Sequence, residues 1–345
     1  MPALDEIEHL VGMQAQAPRA PYLALWSRLA AFAPAELEAL VEERRVVRAA
    51  GMLRTTIHLV SAADALAMRP VLQRSVVERG FRSGSPFARK LVGLPIEEVI
   101  AFGRELLTER PRSTAEMGRL LGERWPDRDA VSLAMAVRYL VPLVQVPPRG
   151  LWSRSPPPKF AVLENWLARS LASETAPDAF VLRYLAAFGP ATVADVATWS
   201  WLTEVRPVME RLRADLLVFQ DERGRELFDV PDGLLPDSET PAPPRFLPEY
   251  DNVLLSHKDR TRITDRDRKV PWPAGDGGRM GTFLVDGFTA GTWRVDRVGG
   301  RATLAMAPWE PVSPADRSAV DFEAAGLLDF VAPEDAHDVR WEPAA

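Results

Sequence analysis

The sequence predicts an α+β fold with three tandem winged-helix domains and a small C-terminal subdomain that is rich in antiparallel β-structure. The order of three helical segments followed by two strands, which is the order of a winged helix, occurs three times. A proline-rich connector follows the third copy, and beyond it short apolar segments alternate as in antiparallel strands. At 345 residues, the chain is long enough for two or three compact domains.

The first predicted domain covers residues 1–94. Its apolar periodicity predicts helices at Glu6–Gln16, Pro21–Phe32 and Pro34–Arg45, and its β-rich stretch is Met52–Val60. The second domain covers residues 95–176, and Ser113 provides an N-cap signal for its middle helix. The elements predicted there are helices at Ile96–Leu107, Ser113–Trp125 and Ala130–Val141 and a ribbon at Leu143–Trp152.

The third predicted domain covers residues 177–235 and shows the pattern most clearly. Gly189-Pro190 ends its first helix, and Thr192 caps the second. The predicted elements are helices at Asp178–Phe188, Val193–Ser200 and Val205–Leu216 and a hairpin at Leu217–Val230.

The C-terminal subdomain, residues 236–345, is predicted to hold a small antiparallel sheet. The expected elements are strands at Thr282–Val285, Gly291–Val295 and Ala302–Ala307 and a helix at Ala319–Phe330. The run Gly275–Gly278 lacks the lysine and the helix of a phosphate loop, so we interpret it as a hairpin turn.

Composition excludes several classes of function. The absence of cysteine excludes disulfides, thiolate metal sites and cysteine nucleophiles, and the four histidines are too scattered to indicate zinc. We therefore expect no metal and no cofactor. The start of the chain is acidic, unlike a signal peptide, and no apolar stretch approaches the roughly 18 residues of a membrane span. We expect a cytoplasmic protein.

The net charge of −6 conceals an uneven distribution. Nine acidic and two basic residues lie between Glu310 and Ala345, so the remainder of the chain is nearly neutral. Six basic residues and one acid lie between Arg69 and Lys90, a basic segment that could contact phosphates through Arg82 and Arg89. The alternative is an arginine-rich face that is simply solvated.

Gln14 and Gln16 flank the small residue Ala15 at the predicted end of the first helix. An amide has no usable pKa and cannot act as an ordinary general base, but it can orient water or stabilise charge. That is sufficient when the leaving group is already activated and departs without being protonated. The alternative is that both are exposed amides at a helix end.

Four blocks of the sequence resemble the AlkZ-like family of bacterial winged-helix DNA glycosylases. They are Gln14-Ala15-Gln16, Met52–Val60, Pro147–Trp152 and Phe246–His257. The resemblance implies an enzyme that excises bulky alkylated purines and unhooks interstrand crosslinks, with Gln14 and Gln16 as its catalytic residues. The related YcaQ-like branch carries aspartate at the position of Gln16, so this chain groups with the Gln-apolar-Gln branch.

The same blocks provide further candidate residues. His58 lies in an apolar strand pattern, so it is either a buried, hydrogen-bonded histidine or a group near the lesion. Asp251 and Asn252 mark the C-terminal block, where an N-cap is favoured over a catalytic carboxylate. The candidates for DNA contact, from the first wing, the basic segment and the ribbon, are Arg54, Thr55, His58, Arg82, Arg89, Arg149, Gly150 and Trp152.

These observations predict a monofunctional DNA glycosylase that acts as a monomer on double-stranded DNA carrying alkylated purines, in repair or in antibiotic self-resistance. One alternative is a winged-helix transcriptional regulator, which would normally need a symmetric dimer and inverted half-sites. Another is a protein that sequesters a free alkylating drug without needing DNA.

Overall fold

The computed structural model describes residues 1–154, 156–264 and 281–344. These residues fold into two compact units. The larger unit comprises Met1–Tyr22, Phe32–Leu234 and Leu255–Lys258, and the smaller unit comprises Leu23–Ala31, Leu235–Leu254 and Asp259–Ala345. The run Gly275–Gly278 lies outside the described residues.

The N-terminal part of the chain alternates short helices and strands. Its elements are α1 (Ala3–His9), β1 (Met13–Gln14), α2 (Ala20–Trp26), α3 (Pro34–Glu42), β2 (Val46–Ala49) and β3 (His58–Ser61). The first helix was predicted to continue to Gln16, and this is wrong. Val11 and Gly12 have φ angles of 54° and 89°, and the Gly12 amide donates to the Ile7 carbonyl over 2.9 Å, which closes the helix.

The basic segment follows as mostly helical backbone, which the extended residue Ser85 interrupts before its last helix. Its elements are α4 (Ala62–Leu72), two π-helical turns (Gln73–Glu78 and Gly80–Gly84) and α5 (Pro86–Arg89). Arg69, at the start of the segment, is only 1% exposed, so it does not belong to a solvated basic face.

The second predicted domain has the expected order. Its elements are α6 (Ile96–Glu109), β4 (Arg112–Ser113), α7 (Thr114–Arg124), α8 (Ala130–Leu140), β5 (Leu143–Gln145), β6 (Lys159–Val162) and α9 (Leu163–Leu167). The predicted N-cap is confirmed, because the Ser113 hydroxyl accepts from the Glu116 amide while the Glu116 carboxylate accepts from the Ser113 amide.

Six strands of the described chain form one sheet in the order β1-β3-β2-β5-β6-β4, and all neighbours are antiparallel. Strand β2 pairs with β5 through Arg48 opposite Gln145 and Ala49 opposite Val144. The sheet therefore crosses the boundary predicted at residues 94–95 and brings the first and second segments together.

The third predicted domain agrees with its pattern most closely. Its elements are α10 (Asp178–Phe188), α11 (Val193–Ser200), α12 (Val205–Leu212), β7 (Leu217–Gln220) and β8 (Glu226–Asp229). Thr192 caps α11 as predicted. Val47, Val144, Val181 and Met209 belong to one buried cluster that extends from the six-stranded sheet to these helices. That each of the three segments is a separate winged helix stays a prediction.

The smaller unit contains a five-stranded sheet covered by a helix. Its elements are β9 (Arg245–Leu247), α13 (Asn252–Leu255), β10 (Gly281–Val285), β11 (Phe288–Val298), β12 (Arg301–Pro308), α14 (Pro314–Val331) and β13 (Ala336–Trp341). The order is β13-β12-β11-β10-β9, with β13 parallel to β12 and the other pairs antiparallel. Phe246, Phe283, Trp293 and Leu327 form its core. The predicted α+β class with an antiparallel-rich C-terminal sheet is confirmed. None of the described helices is long and apolar enough to cross a bilayer.

Candidate active site

Gln14 ends strand β1 and Gln16 lies in the bend directly after it, so neither residue is on a helix. Gln14 is paired with His58 across strands β1 and β3, and the Ala15 amide donates to the Ile57 carbonyl over 2.8 Å. Side chains two residues apart in extended backbone point to the same face. The Gln14 Nε2 accordingly donates to the Gln16 Oε1 over 2.6 Å. Gln14 is buried at 6% exposure, whereas Gln16 is exposed.

Arg54 holds the other end of the Gln14 amide. It lies in a 3-10 turn, Leu53–Thr55, in which Arg54 and Thr55 have φ angles of 53° and 59°. Its Nη2 donates to the Gln14 Oε1 over 2.9 Å, and its Nη1 donates to the Trp199 carbonyl over 2.6 Å. Arg54 lies in the connection between the antiparallel strands β2 and β3, and the left-handed turn directs its guanidinium towards β1 and α11. That this connection is a wing which contacts DNA stays a prediction.

Burial lowers the pKa of Arg54 to about 10, so its guanidinium remains charged near neutral pH. The Gln14 oxygen is therefore bound to a cation, and its nitrogen is bound to Gln16. The oxygen end and the nitrogen end of the Gln14 amide are thus both fixed by neighbouring side chains rather than by solvent.

His58 lies beside Arg54 and is 2% exposed. Its Nε2 is 3.5 Å from Arg54 Nη2, and its Nδ1 is 3.3 Å from Thr56 Oγ1. Burial and the Arg54 charge lower the pKa of His58 well below 6.5, although its hydrogen bond with the Thr56 backbone opposes the shift. His58 is thus a buried, neutral imidazole next to the glutamine pair. This agrees with the interpretation as a buried, hydrogen-bonded histidine, and its position near a lesion stays a prediction.

The ribbon turn at residues 147–152 is built against Arg48. Gly150 has φ 91°, and a Cβ at this position would lie 2.3 Å from Arg48 Cδ. Arg48 is 2% exposed, donates to the Ala15 carbonyl and donates to Gln145 Oε1 over 3.1 Å. Arg48 therefore connects the ribbon to the middle residue of the Gln-Ala-Gln motif. Sequence reasoning missed Arg48, and its location on a short apolar strand is the only signal that could have indicated it.

The two large side chains of the ribbon are also held by intramolecular contacts. The Trp152 ring centroid is 5.1 Å from that of Tyr22, and the Arg19 guanidinium lies 4.8 Å above the Trp152 ring. Arg149 donates to the Pro156 carbonyl over 3.0 Å. The Tyr22 hydroxyl donates to the Gly150 carbonyl over 2.9 Å, and burial raises the pKa of this hydroxyl.

The basic segment contributes one close contact to the turn that carries Arg54. A Cβ on Gly80 would lie 2.7 Å from Thr55 Cγ2, so this glycine allows the second π-helical turn to pack on Thr55. Arg82 and Arg89 are exposed, and the side chain of Arg82 is 74% exposed with Glu78 at 4.0 Å.

Asp251 and Asn252 lie in the smaller unit. The buried Asp251 carboxylate accepts from Arg28 Nη2 over 2.7 Å and from Arg28 Nη1 over 2.9 Å. It also accepts from the Val253 amide over 2.9 Å, as the N-cap interpretation expects. Asn252, at the start of α13, is buried at 7% exposure. Within the described ranges no group of three His, Cys, Asp or Glu side chains is arranged to hold a metal ion.

Comparisons with known proteins identify the family and the fold. The model of the family "DNA glycosylase AlkZ-like" matches residues 7–330. The solved structure of the Streptomyces sahachiroi DNA glycosylase AlkZ is similar, with a TM-score of 0.76, 18% identity, and coverage of 99% of this chain and 94% of that one. At this identity the likeness shows the fold. No curated protein matches this sequence. The family model, which covers most of the sequence, shows that this chain belongs to the AlkZ-like DNA glycosylase family.

Proposed function

We propose that this DNA glycosylase excises bulky N7-alkylated purines from duplex DNA and that Gln14 and Gln16 are its catalytic residues. The observation that carries the proposal is the 2.6 Å hydrogen bond between the two amides, with the Gln14 oxygen held by Arg54. Two oriented amide dipoles provide positioning and charge stabilisation without a titrating group.

The reaction needs no strong base or acid when the leaving base is cationic. The C1′–N9 bond breaks, its electron pair returns to the purine, and the purine leaves neutral. A water oxygen then forms a bond to C1′ of the oxocarbenium-like sugar and releases a proton to solvent. The neutral His58 fits this chemistry, because a charged imidazole beside the sugar would oppose the developing positive charge.

The contacts indicate different roles for the two glutamines. The Gln14 oxygen already accepts from a cation, whereas the exposed Gln16 oxygen accepts only the Gln14 amide within the described part of the chain. A carbonyl oxygen can accept two hydrogen bonds. We infer that Gln16 orients the water and that Gln14 fixes Gln16.

The exposed Arg82 and Arg89 are the proposed contacts to backbone phosphates. Arg149, Gly150 and Trp152 are the proposed ribbon at the damaged base, supported by the link from Gly150 through Arg48 to Ala15. Thr55 is proposed to lie near the same DNA, and Asp251 and Asn252 to stabilise the smaller unit.

We further propose that one molecule acts alone, because unlike segments of a single chain can surround one lesion without a symmetric partner. The same N7 chemistry extends the substrate range to interstrand crosslinks joined through purine N7. The DNA substrate implies action in the bacterial cytoplasm.

The experiment that tests this function is adduct release. Duplex oligonucleotides with N7-alkylguanine adducts of increasing size are incubated with the protein, and abasic sites are revealed as strand breaks by hot alkali. The expected result is cleavage at the adduct and none in the undamaged duplex. Release of no adduct at any protein concentration would contradict the proposal. Tight binding of the free alkylating compound without release would instead favour drug sequestration.

A further inference from the structure

Trp201 is an exposed aromatic residue in a backbone conformation that tryptophan rarely adopts. It directly follows α11, its φ angle is 63°, and it is 42% exposed. Left-handed backbone at the end of a helix is usually occupied by glycine, because a bulky side chain is strained there. Within the described chain, Trp201 takes no part in the buried cluster that contains Trp199. Neither the backbone nor the core therefore explains a tryptophan at this position.

Two arginines hold the backbone at this end of α11. Arg54 Nη1 donates to the Trp199 carbonyl over 2.6 Å, and Arg79 Nη2 donates to the Trp201 carbonyl over 2.6 Å. The Nε of Arg79 also donates to the Ser75 carbonyl over 2.7 Å. Cations are favoured at the terminal carbonyls of a helix by the helix dipole. The backbone of Trp201 is thus fixed while its ring is left exposed.

The same two arginines connect Trp201 to the proposed catalytic pair and to the basic segment. The guanidinium that binds the Trp199 carbonyl also binds the Gln14 Oε1 over 2.9 Å. Trp199 is only two residues before Trp201. Arg79 belongs to the basic segment that is proposed to contact phosphates. Trp201 therefore lies where the proposed catalytic and phosphate-contacting groups meet.

Strained backbone recurs around the glutamine pair. Of the eight residues other than glycine that have positive φ in the described chain, four are Val11, Arg54, Thr55 and Trp201. Val11 lies three residues before Gln14, and Arg54 and Thr55 form the turn that holds it. Such strained residues cluster at functional sites, where the surrounding structure holds them in place. The conformation of Trp201 fits this pattern.

We propose that the Trp201 ring stacks on a nucleobase at or next to the damaged position of the duplex, which makes Trp201 a specificity-determining residue. The inference rests on the proposed binding of the adduct at Gln14 and Gln16. An indole can stack on the face of any base, so the contact does not depend on sequence. Opening of the base stack at a lesion provides such a face, and this opening costs least at a damaged base.

The first test is affinity for a duplex that contains a tetrahydrofuran abasic analogue, whose gap exposes the faces of the neighbouring bases. Binding should be about tenfold weaker in Trp201→Ala, because the stacking of one base is lost. Trp201→Phe should retain most of the affinity, since phenylalanine also stacks. Phe322→Ala is the matched control, because Phe322 is an 82% exposed aromatic on α14, and it should bind as the unmodified protein does.

Tryptophan fluorescence tests the contact itself, because stacking on a base quenches indole emission. The chain has ten tryptophans, so the quenching at saturating abasic duplex is compared between the unmodified protein and Trp201→Phe. The loss of emission should be smaller in Trp201→Phe. Equal quenching in the two proteins, or unchanged affinity in Trp201→Ala, would overturn the proposal.

Stability distinguishes a ring that binds DNA from a ring that supports the fold. Trp201→Gly should be at least as stable in urea as the unmodified protein and more stable than Trp201→Ala, because glycine relieves the left-handed strain. Its affinity for the abasic duplex should nevertheless fall as in Trp201→Ala. If stability and affinity instead fall together in both variants, the ring is structural and the proposal is wrong.

These measurements are separate from adduct release, because the abasic analogue has no base to excise. Absence of excision together with the expected effects at Trp201 would contradict only the proposed function. Normal excision with no effect of Trp201 on binding or quenching would contradict only this inference.

Discussion

Arg54 Nη2 donates to Gln14 Oε1 over 2.9 Å, although the two residues are 40 positions apart in the chain. The same guanidinium donates to the Trp199 carbonyl on α11. The orientation of the Gln14 amide is thus set by a residue outside the Gln-Ala-Gln motif. With the oxygen held by Arg54, the nitrogen is left to bind Gln16.

Arg54→Lys should slow adduct excision by about tenfold or more, because one ammonium cannot reproduce two hydrogen bonds directed from a planar fork. Since the guanidinium faces Gln14 and Trp199, the salt dependence of duplex binding should stay unchanged. Single-turnover excision and duplex affinity at several salt concentrations measure the two effects. A normal excision rate with a flatter salt dependence would identify Arg54 as a phosphate contact instead.

Gly150→Ala should destabilise the protein and slow excision, because its Cβ would lie 2.3 Å from Arg48 Cδ at a φ of 91°. Gly93→Ala is the matched control: Gly93 has a φ of 80°, but its Cβ would meet no atom within 4 Å. Both variants carry the left-handed strain, about 1–2 kcal/mol. The free energy of unfolding in urea should be lower for Gly150→Ala than for Gly93→Ala. Equal losses would show that the ribbon does not depend on the close approach to Arg48.

Because of His58, the free energy of unfolding should decrease as the pH falls below about 6.5. Its folded pKa is well below the ordinary 6.5, so the unfolded chain binds one more proton as the pH falls below 6.5, and unfolding becomes easier. At pH 5.5 this loss of unfolding free energy reaches up to about 1.4 kcal/mol. The stability difference between the unmodified protein and His58→Asn should therefore narrow from pH 7.5 to pH 5.5. Parallel stability curves would show that His58 titrates normally.

Arg82→Ala and Arg89→Ala should each flatten the salt dependence of duplex binding. A phosphate contact contributes a slope of about −0.9 in a plot of log affinity against log salt concentration. Arg119→Ala is the control, because Arg119 is exposed but paired with Glu123 on α7. If affinity of the unmodified protein does not vary with salt, the basic segment is only a solvated face.

Local signals predicted much of the fold. Helix α10 begins and ends where its pattern predicts, and the caps of Ser113 and Thr192 are where their spacing places them. These features depend on residues within four positions of each other. The end of α1 was mispredicted because left-handed backbone at a valine, Val11, has no reliable sequence signal.

Contacts between residues far apart in the chain could not be predicted from local sequence patterns. Gln14 and Gln16 were identified from their motif, but their hydrogen bond follows from the pairing of β1 with β3. The inward direction of Arg54 depends on a left-handed turn, and the role of Arg48 depends on a glycine about 100 positions away. Strand β13 likewise pairs in parallel with β12, although the helix α14 separates the two strands in the chain.

The most direct test of the central claim is the single-turnover rate of N7-alkylguanine excision in Gln14→Ala and Gln16→Ala. Loss of one positioned dipole should cost about 2.7–4 kcal/mol, or about a hundredfold or more in rate. Duplex affinity should stay nearly intact, and Gln220→Ala, which removes an exposed amide from β7, should excise normally. Unmodified excision rates in both Gln14→Ala and Gln16→Ala would contradict the assignment of catalysis to this pair.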